Sequence, residues 1–361
     1  MVKKQISKNI IITSSGTGGH IYPGIALAKE FKSKGYNPIF FISDNNASVN
    51  ILKNTGVPYV MFNISGMPRK ISFSFARFLM KVGLSFLKSI KQIIILKPLI
   101  VIGTGGYVTV PVLVAGKILR KKIFIHEQNT IPGKANIFLN KISDKTFISF
   151  QSSQKYFKNK NISVSGCPIR KDVLFASKEK AVKILNLRDN VFTILVFGGS
   201  IGSVKLNEIA CEMLLDLLLK NEVQVIHITG SKNYAEIQRL AKKFTSYKIF
   251  KYMHNIADAY AASDVIISRS GAGTIFELKA LNKLAILVPY PYATDDHQYW
   301  NAKELEKRGR AIIIEEKNLT KDSLSKAVYK LKNNMENKVV KNITNFPQKM
   351  MFDEIIKCIK F

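Results

Sequence analysis

Val265-Ile266-Ile267-Ser268-Arg269-Ser270-Gly271-Ala272-Gly273-Thr274-Ile275-Phe276-Glu277 contains the architecture of the whole chain in miniature. A short apolar run ends at a glycine turn, and Ile275, Leu278 and Leu281 then recur at helical spacing. A strand therefore stops, turns tightly and opens a helix. The first-turn amides of such a helix lack internal partners and favour negative charge, so a phosphate can dock there. Glu277, one turn further in, is better suited to accepting two hydrogen bonds from a ribose diol than to gripping phosphate. Phosphate with ribose means a nucleotide. The plainer alternative is a helix start capped by Ser270, with Glu277 as a surface carboxylate.

The same strand, glycine turn and helix recur along the chain, which is the signature of parallel α/β sheets. Asn9 to Ile12 leads into Ser15-Gly16-Thr17-Gly18-Gly19-His20, followed by a helical pattern through Ile25, Ala28 and Phe31. Leu99 to Ile102 ends in Gly103-Thr104-Gly105-Gly106-Tyr107, and Ile123 to Ile125 ends in His126-Glu127-Gln128-Asn129. The second half restarts with Phe192 to Phe197 running into Gly198-Gly199-Ser200-Ile201-Gly202. The expected fold class is α/β, with two Rossmann-like domains facing across a cleft. The expected boundaries are 1–165 for the first domain and 166–340 for the second, with 341–361 a helix that packs back on the first. Ligands of such sheets bind beyond the carboxyl ends of the strands, where every one of these loops falls.

With 55 Lys and Arg against 25 Asp and Glu, the formal net charge is +30. That field attracts nucleic acid, anionic membrane or phosphorylated substrates, and it does not choose among them. Part of it follows from a general richness in Lys, Asn and Ile. No basic helix or stacking-aromatic motif supports nucleic acid as a partner. Cys167, Cys211 and Cys358 are scattered and odd in number, so they make neither a disulfide framework nor a metal cluster, and a cytosolic setting is expected. Lys3, Lys4 and Lys8 before Ile10-Ile11-Ile12 imitate a signal peptide, but the apolar run is too short and enters a glycine loop. No 18-residue apolar stretch is present to span a bilayer.

Gly16-Thr17-Gly18-Gly19-His20-Ile21 lacks the last glycine of the dinucleotide fingerprint, and no loop carries the P-loop pattern. His20 opens a helix, where an imidazole could accept a proton from a substrate hydroxyl, though a histidine there can equally just bond backbone. His126 and Glu127 end a strand, where nothing structural demands them. Asp295-Asp296-His297-Gln298 has consecutive ligands and no second cluster, so a polar substrate loop is the better reading than a metal site. Residues 67–96 mix Arg69, Lys70, Arg77, Lys81, Lys88 and Lys91 with Ile71, Phe73, Phe75, Phe78, Leu79, Val82, Phe86 and Leu87. Such a helix suits the interface of an anionic membrane, or else a buried position with lysines along its edge. On the membrane reading, serine at Phe73, Phe75 and Phe78 should release the protein from anionic vesicles.

Taken in order, six segments resemble the MurG family: Ser15 to Gly24, Gly103 to Tyr107, His126 to Asn129, Gly198 to Gly202, Ser268 to Ala272 and Gln298 to Ala302. Each is a weak motif alone, and the ordered set, spanning about residues 9–315, is specific. The resemblance implies the GT-B glycosyltransferase fold and inverting transfer of GlcNAc from UDP-GlcNAc to the 4-hydroxyl of the muramyl sugar of lipid I, giving lipid II. It implies a donor site of Arg170, Ser200, Met253, Ala272, Gly273, Thr274, Ile275, Phe276, Glu277 and Gln298. Thr17, Gly18, Gly19 and Asn129 would complete that site from the first domain. Gly16, Gly105, Gly106 and Tyr107 would cradle the lipid pyrophosphate. His20 is the expected base, with Glu127 as its competitor or orienter. No cofactor and no metal are expected. The implied partners are the two substrates, the anionic cytoplasmic face of the membrane, where the protein would be peripheral, and proteins of cell-wall synthesis. A related GT-B enzyme that glycosylates diacylglycerol is the nearest alternative. Ala285 stands where retaining relatives of the fold often carry a second glutamate, which favours inversion. Ser15, Val110, Cys167 and His297 depart from the usual pattern beside binding positions and bear on fine acceptor specificity.

Overall fold

The computed structural model of the protein describes residues 7–15, 18–44, 46–53, 55–64, 66–68, 73–199, 202–253, 255–333 and 346–359. The chain divides into two compact units, residues 1–169 with 344–361, and residues 170–343. The break falls after Ile169 and not at 165, because His126 Nε2 bonds the Gly166 carbonyl at 3.0 Å and ties that stretch to the first unit.

Seven parallel strands build the first unit: β1 (Asn9–Ser14), β2 (Asn37–Ser43), β3 (Tyr59–Phe62), β4 (Ile100–Gly103), β5 (Lys122–Glu127), β6 (Lys145–Ile148) and β7 (Ile162–Val164). Their order is β3-β2-β1-β4-β5-β6-β7. Six parallel strands build the second: β8 (Thr193–Phe197), β9 (Gln224–Ile228), β10 (Tyr247–Phe250), β11 (Val265–Ser268), β12 (Leu284–Leu287) and β13 (Ala311–Ile313), ordered β10-β9-β8-β11-β12-β13. Strand order reverses between β1 and β4 and again between β8 and β11, so each unit has one switch point of the kind where ligands bind. The loops after those four strands are the glycine-rich ones.

Continuous apolar strands are required because both faces of each sheet are covered. Ile10 and Ile12 point into one cluster with Phe31 and Phe40, while Ile11 points into another with Val101, Ile123 and Ile125. In the second unit Ile194, Val196, Val265, Ile267 and Ile286 pack under the helices Val204–Leu219 and Lys321–Asn333. The last helix, Pro347–Ile359, belongs to the first unit. Its Phe352 meets Phe31 edge-on at 4.9 Å between centroids, and its Glu354 bonds Lys145 at 2.6 Å and Ser163 at 2.8 Å.

The helix Phe73–Leu96 carries apolar residues on a buried face and on an exposed one. Phe78, Ser85, Ser89 and Ile93 are buried, and Phe75 and Phe86 pack against the same core. Met80, Leu84, Leu87 and Ile94, spaced to share the opposite face, are each more than half exposed. Phe78 rests edge-on against Tyr107 at 5.9 Å, so a serine there would damage the core, and the three phenylalanines do not form one outward patch. Arg69, Lys70 and Ile71 lie outside the described residues.

Candidate active site

His20 sits in the first turn of the helix Gly18–Ser33, directly after β1. Its Nδ1 lies 3.1 Å from the Thr104 carbonyl and 3.1 Å from Gln128 Oε1. Both partners are acceptors, so Nδ1 carries the proton and a neutral ring keeps its lone pair on Nε2. The half-buried imidazole lies over Gly105 so closely that a Cβ there would come within 2.6 Å of Nδ1. At Gly106 a Cβ would meet Ser15 Oγ at 1.8 Å, and both glycines have positive φ, +111° and +91°. The two loops at the switch point thus interlock through backbone, with Ser15 N donating to the Gly105 carbonyl at 3.1 Å.

Glu127 and His20 occupy unlike positions. Glu127 is 1% exposed. Its Oε1 accepts from the Asn129 amide at 2.9 Å and from Asn129 Nδ2 at 3.3 Å. Its Oε2 accepts from the Gly133 amide at 3.1 Å and from Asn136 Nδ2 at 2.8 Å. A carboxylate with both oxygens engaged by four N–H groups organises its loop and has little capacity left for a substrate proton. These bonds of Glu127 thus run to its own loop. The side chain that touches His20 is that of Gln128.

In the second unit the helix Ala272–Ala280 begins one residue later than a Ser270 cap would require. Gly271 is the N-cap, and no side chain bonds the first-turn amides there. A Cβ built on Gly271 or Gly273 meets nothing within 4 Å, so there is room beside the helix start at these two glycines. That is the arrangement an anion needs. Ile275 and Phe276 turn their side chains into the core, being 1% and 7% exposed, and offer a ligand only backbone. Arg170 brackets Glu277, donating from Nε at 3.2 Å and from Nη2 at 2.8 Å to Oε1. A guanidinium and a carboxylate are thus gathered beside a bare helix N-terminus.

The family models for the N-terminal and C-terminal domains of glycosyltransferase family 28 match residues 10–148 and 193–357. A relative from Halothermothrix orenii is 37% identical over 334 residues, covering 90% of each chain, and one from Desulforamulus reducens is 35% identical over 364 residues, covering 97% of each. Both are named UDP-N-acetylglucosamine--N-acetylmuramyl-(pentapeptide) pyrophosphoryl-undecaprenol N-acetylglucosamine transferase. The chain belongs to the MurG family of glycosyltransferases. The crystal structure of MurG from Acinetobacter baumannii shares its fold, with a TM-score of 0.70 at 24% identity over 98% of this chain and 99% of that one. A UDP-GlcNAc 2-epimerase from Neisseria meningitidis also shares the fold, with a TM-score of 0.67 at 15% identity over 97% of this chain and all of the epimerase chain.

Of the positions implied by the MurG resemblance, the first unit brings together His20, Gly105 and Gly106 at the switch point, and Asn129 with Glu127 at the end of β5. Gly18 and Gly19 open the helix that carries His20, and Tyr107 links its loop to the helix Phe73–Leu96 through Phe78. The second unit brings together Arg170, Ala272, Gly273, Thr274 and Glu277. Met253 follows β10 and is half-buried, while the Gln298 Oε1 accepts from the Tyr290 amide at 3.0 Å. Gly16, Thr17 and Ser200 lie outside the described residues. In the polar loop, Asp295 and Asp296 both adopt left-handed backbone, and His297 Nδ1 donates to the Thr294 carbonyl at 2.8 Å.

Two residues had no role assigned from sequence. Gln128 is buried, and its only sequence signal is a polar side chain at the end of a core strand. Arg269 is 9% exposed and donates to the carbonyls of Val288 (3.2 Å) and Pro289 (3.0 Å) and to Ser203 Oγ at 2.6 Å. It also pairs with Glu316. This arginine braces the loops after β8 and β12 beside the helix start.

Proposed function

We propose that the chain transfers GlcNAc from UDP-GlcNAc to the 4-hydroxyl of the muramyl sugar of lipid I, with inversion at the anomeric carbon. The observation that carries this reading is His20, a ring with its proton committed to Nδ1 and its lone pair on Nε2, in a chain related to transferases of that name over nearly its full length. The acceptor oxygen attacks C1 of GlcNAc, the bond from C1 to the diphosphate oxygen breaks, and the hydroxyl proton passes to Nε2 of His20. UDP departs with the bonding electron pair. The first-turn amides of Ala272, Gly273 and Thr274 meet the charge that grows on its diphosphate.

The resemblance assigns Glu277 to the ribose diol, Arg170 and Ser200 to the diphosphate, Met253 to the uracil and Gln298 to the sugar. The resemblance assigns Thr17, Gly18, Gly19 and Asn129 to the donor as well. Gly16, Gly105, Gly106 and Tyr107 receive the lipid pyrophosphate. Lipid I is bound to membrane, and no helix among the described residues is long and apolar enough to cross one. The outward row of Met80, Leu84, Leu87 and Ile94, with exposed Arg77, Lys88 and Lys91 beside it, suits peripheral attachment to the anionic cytoplasmic face. Proteins of cell-wall synthesis are the partner class such an enzyme would meet there.

The test is transfer of labelled GlcNAc to a short-chain lipid I analogue, with diacylglycerol in parallel. Product on the lipid I analogue alone is expected. Product on diacylglycerol alone would keep the donor site and overturn the acceptor.

A further inference from the structure

We propose that Gln128 is a positioning residue for the transfer reaction: its carboxamide, locked in one orientation by buried His126, holds His20 with the proton on Nδ1 and the lone pair on Nε2. The proposal rests on the reading of His20 as the base, and it adds what fixes that base in a working tautomer.

The two ends of a glutamine amide have nearly the same shape, so its orientation is set by its partners. Gln128 is 1% exposed and its partners are all protein atoms. Nε2 donates to the Thr104 carbonyl at 2.7 Å and to His126 Nδ1 at 3.1 Å. His126 makes the second bond compulsory. Its Nε2 faces the Gly166 carbonyl at 3.0 Å, an acceptor only, and Ser149 Oγ at 3.2 Å. The proton of a neutral His126 is therefore on Nε2, and Nδ1 presents a lone pair. Burial keeps that ring neutral by pushing its pKa down to about 4.

With both N–H groups of Gln128 committed, Oε1 is the end left for His20. Nδ1 of His20 then faces two acceptors, Oε1 and the Thr104 carbonyl, each at 3.1 Å. A flipped amide would set oxygen against the Thr104 carbonyl and against the His126 lone pair at once. The sequence of donors runs from His126 to the Gly166 carbonyl, from Gln128 to His126 and Thr104, and from His20 to Gln128 and Thr104. Each member is satisfied in one arrangement only. His126, whose charge couples to His20, is neutral, and its strand neighbour Glu127 has its carboxylate bonded to Asn129, Gly133 and Asn136.

The experiment uses full-length enzyme with 15N-labelled histidine, of which the chain has five. The His20 signals are assigned by their loss in His20→Ala. In the wild type His20 should show a protonated Nδ1 and an unprotonated Nε2. Gln128→Met fills the same space and leaves the Thr104 carbonyl alone of these two acceptors, so a share of His20 with protonated Nε2 should appear beside the wild-type form. With it kcat should fall about tenfold, while KM for UDP-GlcNAc stays within twofold. Gln128→Glu restores an acceptor and adds charge, which stabilises the imidazolium. The acid limb of its kcat profile should move up by about one pH unit. A space-filling role for Gln128 would leave both the tautomer and the limb where they were.

Unchanged tautomer and kcat within twofold in Gln128→Met would overturn the proposal. If that variant does not fold, an unmoved acid limb in Gln128→Glu overturns it alone. Full transfer by His20→Ala would instead overturn the choice of base, and the tautomer measurement would still report whether Gln128 holds the ring.

Discussion

Gly105→Ala probes the contact between the two glycine loops and the base. The methyl group would start 2.6 Å from His20 Nδ1 and 2.8 Å from Cε1, far inside normal contact. The backbone cannot easily retreat, because the Gly105 carbonyl accepts from Ser15 N. The residue also stands at φ +111°, where an alanine costs about 1–2 kcal/mol on its own. Most of the remaining strain must be relieved by moving the ring, which breaks its bonds to Thr104 and Gln128. Together these effects should cost about 2–3 kcal/mol of folding stability. A catalytic group displaced by about 1 Å loses on the order of 100-fold in rate, so kcat should fall by that factor. The assay is a double-mutant cycle with His20→Ala, read by urea unfolding and by GlcNAc transfer. Without the ring, Gly105→Ala should cost only the backbone share, about 1–2 kcal/mol, and should lower kcat no further. Additive losses in both stability and kcat would refute the reasoning, since they would mean that the glycine is not there for His20.

Gly273→Asp should separate stability from binding. A carboxylate in the first turn of the helix Ala272–Ala280 favours the helix by about 0.3–1 kcal/mol, while it occupies the ground proposed for the diphosphate. Thermal unfolding should be unchanged or higher, and calorimetry should show UDP binding weakened about 100-fold, as like charge replaces a bare amide site. Serine at Met80, Leu84 and Leu87 together should abolish sedimentation with anionic vesicles and leave the fold intact. Phe78→Ser should instead cost about 3 kcal/mol of stability through loss of a core ring. Acid should also weaken the fold through its buried histidines. Burial pushes His126 down to about 4 and His227 to about 3, both below the ordinary histidine value. A histidine depressed in the folded state is protonated first in the unfolded chain, so stability is full above about pH 6.5 and is lost as pH falls toward the folded value. Urea titrations should show a loss of about 2 kcal/mol per histidine between pH 7 and pH 5.

The strands and their loops were legible because parallel strands with both faces covered must be apolar throughout. Ile10-Ile11-Ile12 and Val265-Ile266-Ile267 are such runs, and a glycine-rich stretch of sequence follows each. The bare helix start was legible for the same reason. Its cap was not, because Ser270 and Gly271 are both good N-caps and only the backbone decides between them. The bonding of Glu127 was not legible in sequence, since nothing local reveals that Gly133 and Asn136 return to bond its carboxylate. Gln128 was silent because its importance comes from His126 and Thr104 at once, a three-dimensional coincidence. The helix Phe73–Leu96 looked ambiguous because it is apolar on both faces, one supplying core and one exposed.

Inverting transfer to a single hydroxyl fixes the linkage of the product, and that linkage can be read directly. Product made from UDP-GlcNAc and a lipid I analogue should be resolved by proton and carbon NMR at the new glycosidic bond. A β linkage to O4 of the muramyl sugar is the result this account requires. An α linkage would contradict the one-step displacement with His20 as base, and a sugar attached elsewhere on the acceptor would contradict the assigned substrate.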